Sequence, residues 1–125
     1  MLRDGPIPAF VHGVLEYLAG VLLVVAPFLF AFESQPATVL SVAAGVMVLV
    51  VSATTQSPTG LVKHLPVSVH VAVDYLLAVF LVASPYLLGF SDETAPTAFF
   101  LALGVVHLLL TIGTRFVGPD VGAAS

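Results

Sequence analysis

Four apolar runs follow one another along the chain, from about Ala9 to Phe32, about Ala37 to Thr54, about Val67 to Phe90 and about Pro96 to Phe116. A helix rises about 1.5 Å per residue, so roughly 20 residues cross a hydrocarbon core of about 30 Å. Each run reaches that length, the second only just. The apolar residues do not alternate as they would in a half-buried strand. In lipid an open chain satisfies its backbone only as a helix, so the pattern predicts four membrane-spanning helices. The stretches between the runs, ESQPA near Glu33, TQSPTGLVKHLP from Thr55 to Pro66 and SDETAP from Ser91 to Pro96, carry turn residues.

Composition agrees with the pattern. Of 125 residues, 59% are hydrophobic and 8% charged, too few charges to clothe a water-soluble domain of this size. One domain, residues 1–125, accommodates the chain. The formal charge is −4, from 3 basic and 7 acidic residues, and no basic patch suits nucleic acid. With no cysteine, disulfides, thiolate metal sites and cysteine nucleophiles are excluded. Arg3, Lys63 and Arg115 fall on one side of a four-span topology, whereas Glu33, Asp92 and Glu93 fall on the other. The positive-inside rule then places both termini in the cytoplasm.

The first and third runs are copies of one another. IPAFVHGVLEYLAGVLLVVAPFLFAF (Ile7 to Phe32) aligns without gaps on LPVSVHVAVDYLLAVFLVASPYLLGF (Leu65 to Phe90), at a constant offset of 58 residues. Pro8/Pro66, His12/His70, Tyr17/Tyr75, Pro27/Pro85 and Phe32/Phe90 are identical, and Glu16/Asp74 and Phe28/Tyr86 are close. After a shift of one residue, Gly45/Gly104, Ser52/Thr111 and Thr55/Thr114 correspond too. The chain therefore reads as two tandem hairpin repeats, about residues 7–55 and 65–115, forming an all-α integral membrane four-helix bundle. Two spans per repeat give both repeats the same orientation, with the pseudo-two-fold axis along the membrane normal, unlike an inverted-repeat transporter. Helix 1 matches a mature span and is expected to be retained rather than cleaved as a signal peptide.

The segments VVAPFLFAF and VASPYLLGF, within VHGVLEYLAG and LPVSVHVAVDYLLA contexts, resemble the SPW-repeat membrane proteins over most of the chain, roughly Ile7 to Arg115. That family's repeat is a two-helix unit with a Ser-Pro-Trp signature late in its first helix. Here Phe28 and Tyr86 stand in place of the tryptophan, and Ala26 in place of the first serine. The resemblance implies a small multi-pass protein of the prokaryotic cytoplasmic (inner) membrane, and implies no particular activity.

The polar residues inside the runs are the candidates for chemistry. His12 and Glu16, like His70 and Asp74, are four apart and share a helix face near the cytoplasmic boundary. The plainer reading is a clamp between hairpins, with Tyr17 and Tyr75 as headgroup anchors. The sharper readings are a proton- or ion-linked conduit or a haem or metal site using the two histidines. His107 has no repeat counterpart and is expected near the bilayer midplane, where an ionisable residue marks function unless it is neutral and bonded to a neighbouring helix. His64, beside Lys63, reads as solvated. Pro27 and Pro85 free the carbonyls of Leu23 and Leu81. Ser84 can bond back within its own turn, whereas Ala26 cannot, so packing is expected to support the first bend. Ser41/Gly45 and Ala98/Ala102 suggest close helix contacts. No phosphate-binding glycine loop, Ser-His-Asp set or HExxH motif occurs, and the loops are short, so no enzymatic activity and no cofactor are expected. The lipid bilayer is the one certain partner. Self-association or membership of a larger membrane complex is the expected mode of action, with the Thr55–Pro66 loop as the docking point.

Overall fold

The computed structural model describes residues 5–115. Arg3, the end of the fourth run at Phe116 and the polar tail after Gly118 lie outside the described residues. The order is β1 (Ile7–Pro8), α1 (Ala9–Leu29), α2 (Gln35–Thr54), α3 (Val67–Leu87), α4 (Thr94–Gly113) and β2 (Thr114–Arg115). All four helices are long and apolar enough to cross a membrane, and large side chains such as Leu18, Leu76 and Leu109 are exposed on the outside of the bundle. The chain is a four-helix, multi-pass membrane protein.

Packing is tightest within each hairpin, α1 on α2 and α3 on α4. Gly45 lies against α1 so closely that a Cβ there would sit 2.7 Å from the Gly20 carbonyl oxygen. Ala98 and Ala102, by contrast, are exposed and make no helix seam; the close approach in the second hairpin is at Gly104, facing Ala78 and Val82. Leu23, Leu77, Leu81, Phe90 and Phe100 form the apolar core, with Phe32, Phe90 and Phe99 tilted or edge-on around Phe100. At that same end the Glu93 carboxylate accepts backbone N–H bonds from Glu33 (2.7 Å) and Ser34 (2.8 Å), tying the α1–α2 turn to the N-terminus of α4. At the opposite end short backbone pairings join the hairpins. Ile7 and Pro8 run parallel to Thr114 and Arg115, and Thr55 pairs with Leu65.

α1 and α3 stop three residues short of the apolar runs that predict them. Hydrophobicity continues to Phe32 and Phe90, but Ala31 (φ 52°) and Gly89 (φ 76°) turn left-handed and end the helices. The Phe32 and Phe90 N–H groups then bond back to the Pro27 and Pro85 carbonyls, the usual left-handed helix stop. The repeat fills this position once with glycine and once with alanine, and only glycine adopts it without steric cost. Ala31→Gly is expected to raise stability by about 1 kcal/mol, read as a higher unfolding temperature in detergent. A lower one would mean that Ala31 is not left-handed.

The prolines resolve differently in the two repeats. The Leu81 carbonyl freed by Pro85 accepts from the Ser84 hydroxyl at 2.9 Å, as expected. The Leu23 carbonyl freed by Pro27 is not left to packing. It accepts from the Ser41 hydroxyl of α2 at 2.6 Å. Phe100 occupies the position in α4 that corresponds to Ser41. A serine one residue before the proline and a serine on the partner helix are thus alternative answers to one orphaned carbonyl. Ser41→Ala is expected to cost about 1–3 kcal/mol, since a buried acceptor loses its donor, while Thr38→Ala, one turn away and half-buried, is expected to change little. Thermal unfolding in detergent separates the two.

Candidate functional site

At the end of the bundle opposite the phenylalanines, the two His-acid pairs meet. His12 and Glu16 project from the first half of α1, and His70 and Asp74 from the first half of α3. The His12 Nε2 atom is 2.6 Å from Glu16 Oε1 on its own helix and 3.1 Å from Asp74 Oδ2 of the other hairpin. The His70 Nε2 atom is 2.8 Å from Glu16 Oε2 and 3.2 Å from Asp74 Oδ2. The ring centroids are 6.1 Å apart, edge to face. None of the four side chains is more than 7% exposed.

His107 joins them. It lies six residues before the end of α4, about 9 Å along the axis, and not at the midplane expected from the length of its run. Glu16 and Asp74 lie seven residues inside their own helices, so all three share one level. Its Nε2 atom is buried without a hydrogen bond, 3.4 Å from Asp74 Oδ1. Val48 fills the corresponding place in the first repeat, where Ser52 instead donates to Glu16 Oε2 at 3.0 Å. The shorter aspartate faces a histidine and the longer glutamate a serine.

Two threonines, outside the candidates read from the sequence, orient the rings. Thr114 Oγ1 is 2.8 Å from His12 Nδ1, and Thr55 Oγ1 is 2.6 Å from His70 Nδ1. Each threonine ends the second helix of one hairpin and holds the histidine of the other. Their equivalence in the repeat alignment was the available signal, but the crossing of the contacts was not visible there. Both hydroxyls already donate their single hydrogen to a carbonyl one turn back, Thr55 to Val51 and Thr114 to Leu110. Each must therefore accept from the imidazole, so Nδ1 carries the ring proton in both histidines. In the neutral ring Nε2 is then a bare lone pair, and it faces carboxylate oxygens. Lone pair against carboxylate is repulsive, so this geometry needs a cation, whether protons or a metal ion, between Nε2 and the acids.

The Thr55–Pro66 loop covers this end. The Tyr17 hydroxyl donates to the Thr59 carbonyl at 2.8 Å, so this tyrosine latches the loop rather than standing free as an anchor. Thr59 lies where a side chain at residue 13 would be, since a Cβ on Gly13 would come 2.0 Å from its hydroxyl oxygen. Beneath the loop a cavity of about 20 Å³, lined by His12, Gly13, Thr55, Gln56, Thr59 and His70, reaches the two rings, room for about one water molecule. His64 and Lys63 are exposed in the same loop.

The family model described as the SPW repeat domain matches residues 10–114, which takes in both hairpins and every residue of the cluster. No curated protein and no solved structure gives a significant match.

Proposed function

The chain belongs to the SPW-repeat family, and we propose that it is a non-enzymatic accessory protein of the prokaryotic cytoplasmic membrane, with both termini on the cytoplasmic side. In this reading the two hairpins are locked into one rigid body that associates with itself or with a larger membrane complex. The crossed polar lock carries the reading. Each ring is held by a threonine of the other hairpin and each carboxylate faces an imidazole of the other hairpin. Charged side chains no more than 7% exposed, shared between two hairpins, support a role in holding helices together. Lys63 and Arg115 lie at the same end of the bundle as the cluster, which supports the orientation.

A conduit is the weaker alternative because the polar residues do not continue. Beyond the cluster the buried positions include Leu23, Ala26, Leu77, Leu81 and Phe100, and the buried hydroxyls of Ser41 and Ser84 are committed to helix carbonyls. Reconstituted in liposomes, the chain is expected to carry no more proton or cation flux than empty vesicles, and to elute from mild detergent as a defined assembly. A flux that His12→Ala/His70→Ala abolishes would overturn the accessory role.

A further inference from the structure

We propose that the meeting point of His12, Glu16, His70 and Asp74 binds one divalent first-row transition-metal ion. The donor atoms are already arranged as the edges of a coordination shell. One nitrogen or oxygen from each of the four residues lies within 4.8 Å of every other, and with Oε1 as the Glu16 donor the nitrogen–oxygen separations are 2.6, 3.1, 3.1 and 3.2 Å. Metal–ligand bonds of about 2.0–2.2 Å put neighbouring ligands about 3.3 Å apart around a tetrahedral ion and about 2.9 Å apart around an octahedral one.

Three further observations point to an ion. Thr55 and Thr114 fix the protonated nitrogen of each ring as Nδ1 and aim both Nε2 lone pairs inward. A ligating histidine is held in this way, its other N–H donated to an outer partner. Charge is the second. With both imidazoles neutral, the two carboxylates leave two negative charges in the bundle, and one divalent cation balances both at a single point. His107 is the third. Its Nε2 atom, buried on a side chain 5% exposed, has no hydrogen-bond partner and sits 3.4 Å from Asp74 Oδ1. The Asp74 oxygen at His12 and His70 is the other one, so His107 stands behind Asp74, where an outer partner steadies a ligating carboxylate.

The donor set narrows the ion. Imidazole nitrogen with carboxylate oxygen suits manganese, iron, cobalt, nickel or zinc, while calcium and magnesium prefer oxygen alone and copper(I) prefers sulfur. No cysteine is present to supply sulfur. The cavity beneath the loop reaches His12 and His70 from the loop side and supplies an entry path.

The test uses the full chain in mild detergent, stripped with a chelator and titrated with Co²⁺ or Zn²⁺ alone. One ion per chain is expected, with a visible d–d band for Co²⁺. His12→Ala/His70→Ala should abolish binding. Two milder variants leave the four ligands in place and keep the inference falsifiable if the double variant unfolds. Thr55→Val should weaken affinity roughly 10–100-fold at unchanged stoichiometry, as loss of an outer partner does. His107→Gln should keep one ion per chain at weakened affinity, as loss of a partner behind Asp74 does. A folded wild-type chain that takes up no ion overturns the site, as does Co²⁺ binding that persists in the double variant. An affinity unaltered in His107→Gln overturns the role of His107 behind Asp74. Metal uptake is compatible with the presence or the absence of flux, so the ion site and the accessory role can fail separately.

Discussion

Glu16→Ala is expected to cost about 3–5 kcal/mol of stability, the usual loss when one partner of a buried charged set is removed. Glu16 is 1% exposed and faces His12 Nε2 at 2.6 Å and His70 Nε2 at 2.8 Å, with the Ser52 hydroxyl at 3.0 Å. Without it, polar groups from three helices lose their partner at once, and two of those helices belong to different hairpins. Neutral hydrogen bonds between membrane helices average only about 0.6 kcal/mol, so the size of the loss separates a charged lock from ordinary polar contacts. Thermal unfolding in detergent micelles is the measurement. A change below about 1 kcal/mol, within the range of such ordinary contacts, would mean that the cluster does not hold the hairpins together.

The second large effect is expected at the crossing of α1 and α2. A Cβ on Gly45 would lie 2.7 Å from the Gly20 carbonyl oxygen, 2.7 Å from Val24 Cγ2 and 2.9 Å from Leu23 Cβ. Backbone and Cβ atoms cannot rotate away, so Gly45→Val must push the helices apart, at a cost of about 1–3 kcal/mol or more. The repeat supplies an internal comparison. At Gly104 the closest atom is Val82 Cγ2 at 2.8 Å, the tip of a side chain, and the Ala78 carbonyl oxygen is at 3.1 Å. Gly104→Ala is therefore expected to be tolerated better than Gly45→Ala, and Ala102→Val, on the exposed side of α4, better than either. Unfolding temperatures in any other order would place the tight crossing elsewhere.

Span count, hairpin duplication and the register of the His-acid pairs were legible because they are periodic and local. A helix-length apolar run needs no partner to be recognised, and an offset of 58 residues with identical prolines and histidines is plain on inspection. What was not legible depends on which helix faces which. Ser41 and Gly45 do meet α1 closely, as their spacing suggested, but the bond from Ser41 to the Leu23 carbonyl could not be read from it. Ala98 and Ala102 have the same spacing and face outward. Spacing cannot show which face of a helix meets another when nearly every face is apolar. His107 was placed too deep because the apolar run overestimates where α4 lies, the helix beginning at Thr94 and ending at Gly113. Thr55 and Thr114 were matched as equivalents without a role, since a threonine at a helix end most often serves its own backbone. Here each serves its own backbone and a ring of the opposite hairpin.

The crossed threonines also tie completion of the site to completion of the chain. Membrane insertion follows synthesis from the N-terminus, so α1 enters lipid carrying His12 and Glu16 before most of their partners exist. Ser52 arrives first, then His70 and Asp74. Thr114, which fixes the His12 ring, comes 102 residues after it. A chain halted after α3 has the carboxylate and imidazole partners of His12 and Glu16 but lacks the hydroxyl that fixes the His12 ring. Thr114, one residue past the end of α4, is thus the last piece of the lock to arrive, and the His12 ring gains its fixed orientation only when both hairpins are complete.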